Sequence, residues 1–195
     1  RKNGKDTDMW VWGGTAVMQE LYQRADGTLA VKLPGLFDRR FVERPVEIDE
    51  FELSRCDGNA DRIIATDSGS FYRLDFDVEF KEHTYAFGIK MYENSEEDIG
   101  YAYHFSPGKN MVVFDKLPNY PWFTCMNRGL LRAINLQPNN TYHVTIIVDD
   151  DISVLYVDGV ALNARMCEKP GSEIKFYVHG GEIRIWNLRL FDDLQ

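Results

Sequence analysis

Residues 72–80 alternate without a fault, with Tyr72, Leu74, Phe76, Val78 and Phe80 set against Arg73, Asp75, Asp77 and Glu79. A period of two puts the apolar set on one face of an extended strand and the charges on the other, in water. The rhythm returns at 84–92, with Tyr85, Phe87, Ile89 and Met91 in phase, and at 99–105, with Ile99, Tyr101, Tyr103 and Phe105. It returns again at 142–148, 152–156 and 174–178, and a short apolar run spans 111–114. No long helical pattern competes with it. A chain so constrained folds as sheets, and many short strands predict an all-β, two-sheet antiparallel jelly-roll sandwich.

The punctuation agrees. Asp26-Gly27 separates two β-type runs, 18–24 and 28–33, and Asp-Gly at such a place predicts a hairpin. Turns are expected at Asp57-Gly58, Ser68-Gly69, Pro107-Gly108, Asp158-Gly159, Pro170-Gly171 and Gly180-Gly181. The last segment, 182–190, breaks phase where Ile183 and Ile185 are followed by Trp186, Leu188 and Leu190. A bulge, or a strand buried on both faces, accounts for that slip. Pro34 and Pro45 flank 35–44, which reads as a connection. The chain therefore divides into a lead-in hairpin segment, 1–45, and a sandwich domain, 46–195.

Charge narrows the partners. The 195 residues carry a net charge of −9, and the densest charged run, 93–98, is acidic and reads as a solvated loop. A nucleic-acid binder shows a basic patch or stripe, and none is visible here. No apolar run approaches the ~18 residues that a membrane helix needs. Arg1-Lys2-Asn3-Gly4-Lys5-Asp6 lacks the apolar core of a signal peptide, and the chain opens without Met, as an excised piece does. Cys56, Cys125 and Cys167 are too widely spaced for a metal site or a disulfide framework, so buried thiols are expected, with one bridge between two of them as the alternative.

Few residues suggest chemistry. Asp75, Asp77 and Glu79 share one strand face, which predicts a polar surface that can meet sugar hydroxyls. A glycosidase instead needs two carboxyl groups facing each other about 5–10 Å apart. Asp149-Asp150-Asp151 suits a turn, and secondarily a calcium ligand set; no other cofactor is suggested. His83, His104, His143 and His179 have no metal-binding spacing and read as surface or hydrogen-bonded sheet residues. Tyr120 and Trp122, in a loop stiffened by Pro118 and Pro121, suit sugar stacking or a plug over one end of the sandwich. Trp10 and Trp12 flank Val11 and suit either a stacking platform or an anchor on another domain.

Glu20-Leu21-Tyr22-Gln23 followed by Asp26-Gly27-Thr28-Leu29 resembles the linker that leads out of the catalytic propeller in family 32 glycoside hydrolases. Met18 and Gln19 stand where that family has Pro and Arg. Residues 145–159 look like a segment near the end of the family's C-terminal sandwich, and of concanavalin A-like lectins and glucanases more broadly. Gly180-Gly181-Glu182-Ile183-Arg184-Ile185-Trp186 is similar to the closing strand of such modules. The family's catalytic motifs belong to the upstream propeller, and Arg55-Cys56-Asp57 and Cys167-Glu168 do not match them.

The resemblance implies an accessory sandwich that packs on a catalytic propeller of the same polypeptide, in an extracellular, periplasmic or cell-surface setting. Trp10, Trp12 and Glu20, which precede the steady strands, are then expected at the seam. An independent carbohydrate-binding module using Trp122, Tyr120, Asp75, Asp77 and Glu79 is the alternative. A small sandwich glucanase built on the same three carboxylates is the third reading.

Overall fold

The computed structural model describes residues 17–117, 130–166 and 168–194. Trp10, Trp12, Tyr120 and Trp122, with Cys125 and Cys167, lie outside them. Thirteen strands follow in chain order: β1 Glu20–Gln23, β2 Leu29–Lys32, β3 Phe41–Arg44, β4 Phe51–Ala65, β5 Phe71–Phe80 and β6 Ala86–Asn94. Then come β7 Ile99–Ser106, β8 Met111–Leu117, β9 Leu131–Ala133, β10 Tyr142–Asp149, β11 Ile152–Val157, β12 Val160–Arg165 and β13 Glu173–Asp193.

Every pairing among them is antiparallel. Two long strands organise the molecule. The first half of β13 pairs with β6 on one side and with the second half of β4 on the other. Its second half pairs with β5 on one side and with β3 and the start of β4 on the other. Both strands thus run out of one layer into the next. One layer reads β12-β11-β10-β5-β13, and the other reads β13-β6-β7-β8-β9.

The layers pack face to face, because the alternating apolar residues of each have nowhere else to go. Phe76 of β5 meets Phe176 of β13 edge-on at 4.8 Å, and Phe80 meets Phe87 of β6 at 5.4 Å. The core is aromatic: Tyr72, Tyr101, Tyr103, Phe105 and Phe114 are fully buried within it. Tyr103 Oη lies 2.8 Å from Ser153 Oγ and donates to the Leu162 carbonyl, so a β7 phenol is satisfied by β11 and β12 across the sandwich.

Several expectations change. Asp57-Gly58 and Gly180-Gly181 are not hairpin turns; they face each other inside β4 and β13, where the register shifts between His179 and Gly181. Gly58, Gly180 and Gly181 take positive φ there, which bends both strands from one layer into the other without ending them. Residues 174–178 and 182–190 therefore belong to one strand. Residues 35–44, expected as a connection, hold a short 3-10 helix, Gly35–Arg40, and then β3, which joins the sandwich sheet. Tyr85 falls outside β6 and is exposed. Cys56 is an exposed free thiol rather than a buried one, because the bend in β4 turns it outward. The slip after Ile185 is a bulge between Trp186 and Arg189, with Asn187 left-handed at φ 52°.

Candidate functional site

The outward face of β5 was the expected polar surface, and the structure divides its three carboxylates. Asp75 is not solvated: it is wholly buried. Thr145 Oγ1 donates to its Oδ1 at 2.9 Å and Arg73 Nε at 3.0 Å, while Arg73 Nη2 stands 2.8 Å from Oδ2. Arg189 flanks it from β13 at 3.7 Å. The cause is register: Thr145 and Arg189 are the direct neighbours of Asp75 on either side and close over it. Arg73 also reaches Asp38 at 2.6 Å. Burial pulls the Arg73 guanidinium down, but Asp75 and Asp38 outweigh it and hold it above its ordinary value.

Asp77 stays near the surface. His143 Nδ1 lies 2.9 Å from its Oδ1, and Asn187 donates to its Oδ2 at 2.7 Å from the bulge. Glu79 is held by Lys81 at 2.6 Å. The three carboxylates lie along one strand, each with its own partner. Nothing pairs them across a space.

Beside this face is a cleft of about 480 Å³, floored by Arg73, His143, Thr145 and Tyr156 and roofed by Tyr22 and Val31 of the hairpin. The roof is β1 paired with β2, as Asp26-Gly27 predicts: Asp26 accepts from the Thr28 N–H and hydroxyl, and Gly27 has φ 88°. It sits on the sandwich through a second apolar cluster, Ile152, Val154, Tyr156 and Ala161, against Val31 and Leu33. Val31 N–H donates to the Gly159 carbonyl at 2.9 Å. Gly159 carries no Cβ because one would sit 2.7 Å from Ala30 Cβ and 2.9 Å from Tyr22 Oη. Glu20 pairs with Lys32 across the hairpin at 2.8 Å, and that bond holds its carboxyl below the usual range.

Sequence reasoning missed Arg73, His143, Thr145 and Tyr156 as a group. The signal lay in the alternation of β10, where His143 and Thr145 take the outward positions next to Asp77 and Asp75. Asp149-Asp150-Asp151 forms the β10–β11 turn, with Asp150 left-handed; Asp151 pairs with Arg165 and Asp150 with Lys169. Among the described residues no three His, Cys, Asp or Glu side chains are grouped to hold a metal ion. Nor, among them, is any helix long and apolar enough to cross a membrane.

Solved structures share this fold. A sucrose-6-phosphate hydrolase from Lactobacillus gasseri superposes with a TM-score of 0.61 and 16% identity over 90% of this chain and 33% of its own. An exo-inulinase from Aspergillus awamori gives 0.64 and 11% over 91% of this chain and 35% of its own. The carbohydrate binding module CBM66 from Bacillus subtilis gives 0.54 and 14% over 88% of this chain and 90% of its own. The chain has the concanavalin A-like all-β sandwich fold, the fold of the C-terminal part of family 32 enzymes. It spans about a third of the length of the two enzymes. No protein-family model matches the sequence, and no curated protein matches it.

Proposed function

We propose that this chain is the non-catalytic accessory β-sandwich of a family-32-like glycoside hydrolase, seated on a catalytic propeller of the same polypeptide. The observation that carries the reading is coverage. About nine-tenths of the chain superposes on one third of an inulinase and of a sucrose-phosphate hydrolase, a module's share of such a protein. The site supports it, since Asp75, Asp77 and Glu79 are separately held along one strand and do not face one another as glycosidase carboxyls do.

The hairpin side supplies the seam. Met18, Leu21, Leu29 and Leu36 are large apolar residues left exposed in the short stretch that includes the hairpin and the 3-10 helix. Glu20, exposed on β1, belongs to the same seam. The carbohydrate contact of the module is the cleft beneath the hairpin, lined by Tyr22, Arg73, His143, Thr145 and Tyr156, with Asp77 held by His143 beside it. The setting is extracellular, periplasmic or cell-surface. The second reading, a free-standing carbohydrate-binding module, is favoured by the CBM66 likeness, which spans 90% of that domain.

The test is hydrolysis by parts. The parent enzyme with Asp77→Asn and Glu79→Gln should still cleave its fructan, and the isolated chain should release no reducing sugar. Sugar release by the isolated chain that stops on Asp77→Asn overturns the proposal.

A further inference from the structure

The opposite layer carries a groove of about 360 Å³, within the ~300–1,000 Å³ that small-ligand sites occupy. Strand register builds it in rows. One row runs Asp61, Tyr177, Gly88, His104 across β4, β13, β6 and β7. The next places Lys175 beside Lys90, and the third places His179 beside Asn59. Alternation turns Lys175, Tyr177 and His179 out of the layer while Ile174, Phe176 and Val178 enter the core.

The floor is preorganised. The Tyr177 ring crosses over Gly88, where a Cβ would meet Tyr177 Oη at 2.8 Å, and its hydroxyl lies 2.8 Å from His104 Nδ1. Burial lowers the pKa of His104 and raises that of Tyr177, so both stay neutral. Lys90 and Lys175 are buried and share Glu93 Oε1 at 3.0 and 2.7 Å. Lys90 also binds Asp98 at 2.7 Å, and Lys175 binds Ser95 Oγ at 3.1 Å. Each ammonium thus has one N–H unused among the described residues. Asp61 offers a carboxylate, and the His179–Asn59 pair an amide and a second imidazole. At the rim stands exposed Tyr85, edge-on to His179 at 5.5 Å.

We propose that this groove binds one neutral hexose residue of an oligosaccharide, with Tyr85 stacking on a neighbouring residue. Two lysines stand against four carboxylates, Glu93, Asp61, Asp98 and Asp115, the last of which acts on both His104 and Tyr177, so an anion gains nothing by entering. Interleaved donors and acceptors suit hydroxyls, each of which gives one hydrogen bond and accepts others. The inference goes beyond the proposed accessory role and does not depend on the cleft, which lies on the other layer.

The experiment is an amide NMR titration of the isolated chain with short fructo-, gluco- and galacto-oligosaccharides, and with a sialylated one of similar length. At least one neutral probe should shift the amides around Asn59, Gly88, His104 and Tyr177 in a saturable way. Asn59→Ala/His179→Ala, both at exposed positions, should weaken that binding by about tenfold or more while the thermal melt stays put. No shift with any neutral probe overturns the proposal, as does tighter binding of the sialylated one. Shifts confined to Thr145 and Tyr156 also overturn it and leave the cleft as the sugar site; groove shifts with a silent cleft do the reverse.

Discussion

Glu93 is the residue on which the groove's floor depends, and Glu93→Gln tests that dependence. Its side chain is fully buried near the end of β6, with Oε1 shared by Lys90 and Lys175. Gln keeps the size and removes the charge, leaving two ammonium groups around a neutral amide. At about 3 Å and an effective dielectric near 20, each contact is worth roughly 5–6 kcal/mol before desolvation. Burying the charges takes back most of that, and removing one partner from a buried ionic group costs about 3–5 kcal/mol net. Lys90 keeps Asp98, but that carboxylate is largely exposed and contributes at most about 1 kcal/mol. The low end, about 3 kcal/mol, is therefore the expectation.

For a chain of 195 residues that corresponds to a fall in Tm of about 6–12 °C. Thermal circular dichroism at neutral pH reads it directly, and high salt should change the difference little because the pair is screened from solvent. Gly100 supplies a control on the same carboxylate: a Cβ there would sit 2.3 Å from Glu93 Oε2, so Gly100→Ala should destabilise as well. Adding Lys175→Met to Glu93→Gln should recover part of the loss, because it removes one of the two uncompensated charges. A fall in Tm below about 2 °C for Glu93→Gln refutes the reasoning.

Gly159→Ala puts a Cβ against Ala30 and Tyr22 at a φ of 69° that L-residues avoid, so the hairpin should lift. Limited proteolysis should then cut near Gln23 faster while near-ultraviolet circular dichroism of the core stays unchanged. Tyr103→Phe removes the bonds to Ser153 and Leu162 and should cost about 1–2 kcal/mol in urea unfolding with an unchanged m-value. His104 is depressed below its ordinary 6.5 by burial, so the unfolded chain takes up its proton first as pH falls. Stability should be insensitive to this group above about pH 6.5 and be lost below it, and His104→Gln should flatten that limb in denaturant titrations at stepped pH.

Much of the fold was legible because period-two patterning is local. Each outward and inward position of β5, β10 and β11 can be read within its own run, and the Asp26-Gly27 hairpin follows from turn chemistry alone. The site was legible only in part. Asp77 and Glu79 lie at the surface as the alternation predicts, but Asp75 is sealed by Thr145 and Arg189, which come from strands 70 and 114 positions away (145 − 75 and 189 − 75). Alternation says which way a side chain points; it does not say what stands beside it. The groove was invisible for the same reason, since its rows join β4, β6, β7 and β13, and no single segment carries its signature.

The misreading of Gly180-Gly181 shows where local chemistry is ambiguous. A hairpin turn and a sheet crossing both need residues with positive φ, so the same glycines serve either. What decides between them is the partner strand. Gly58 takes positive φ within β4 at the same level, so both strands bend together and keep their hydrogen bonds through the crossing. A lone Gly-Gly in β13 would have to turn back; matched with Asp57-Gly58 it can continue. The crossing also has a functional consequence. Through β13, Trp186 and Asn187 beside the acidic face and Tyr177 and His179 in the groove belong to one continuous strand, so the two faces are held at a fixed separation. An Ala at Gly181 would meet Thr84 Cα at 2.4 Å, and the strain would fall on the segment that leads into Tyr85 and β6, at the groove's rim.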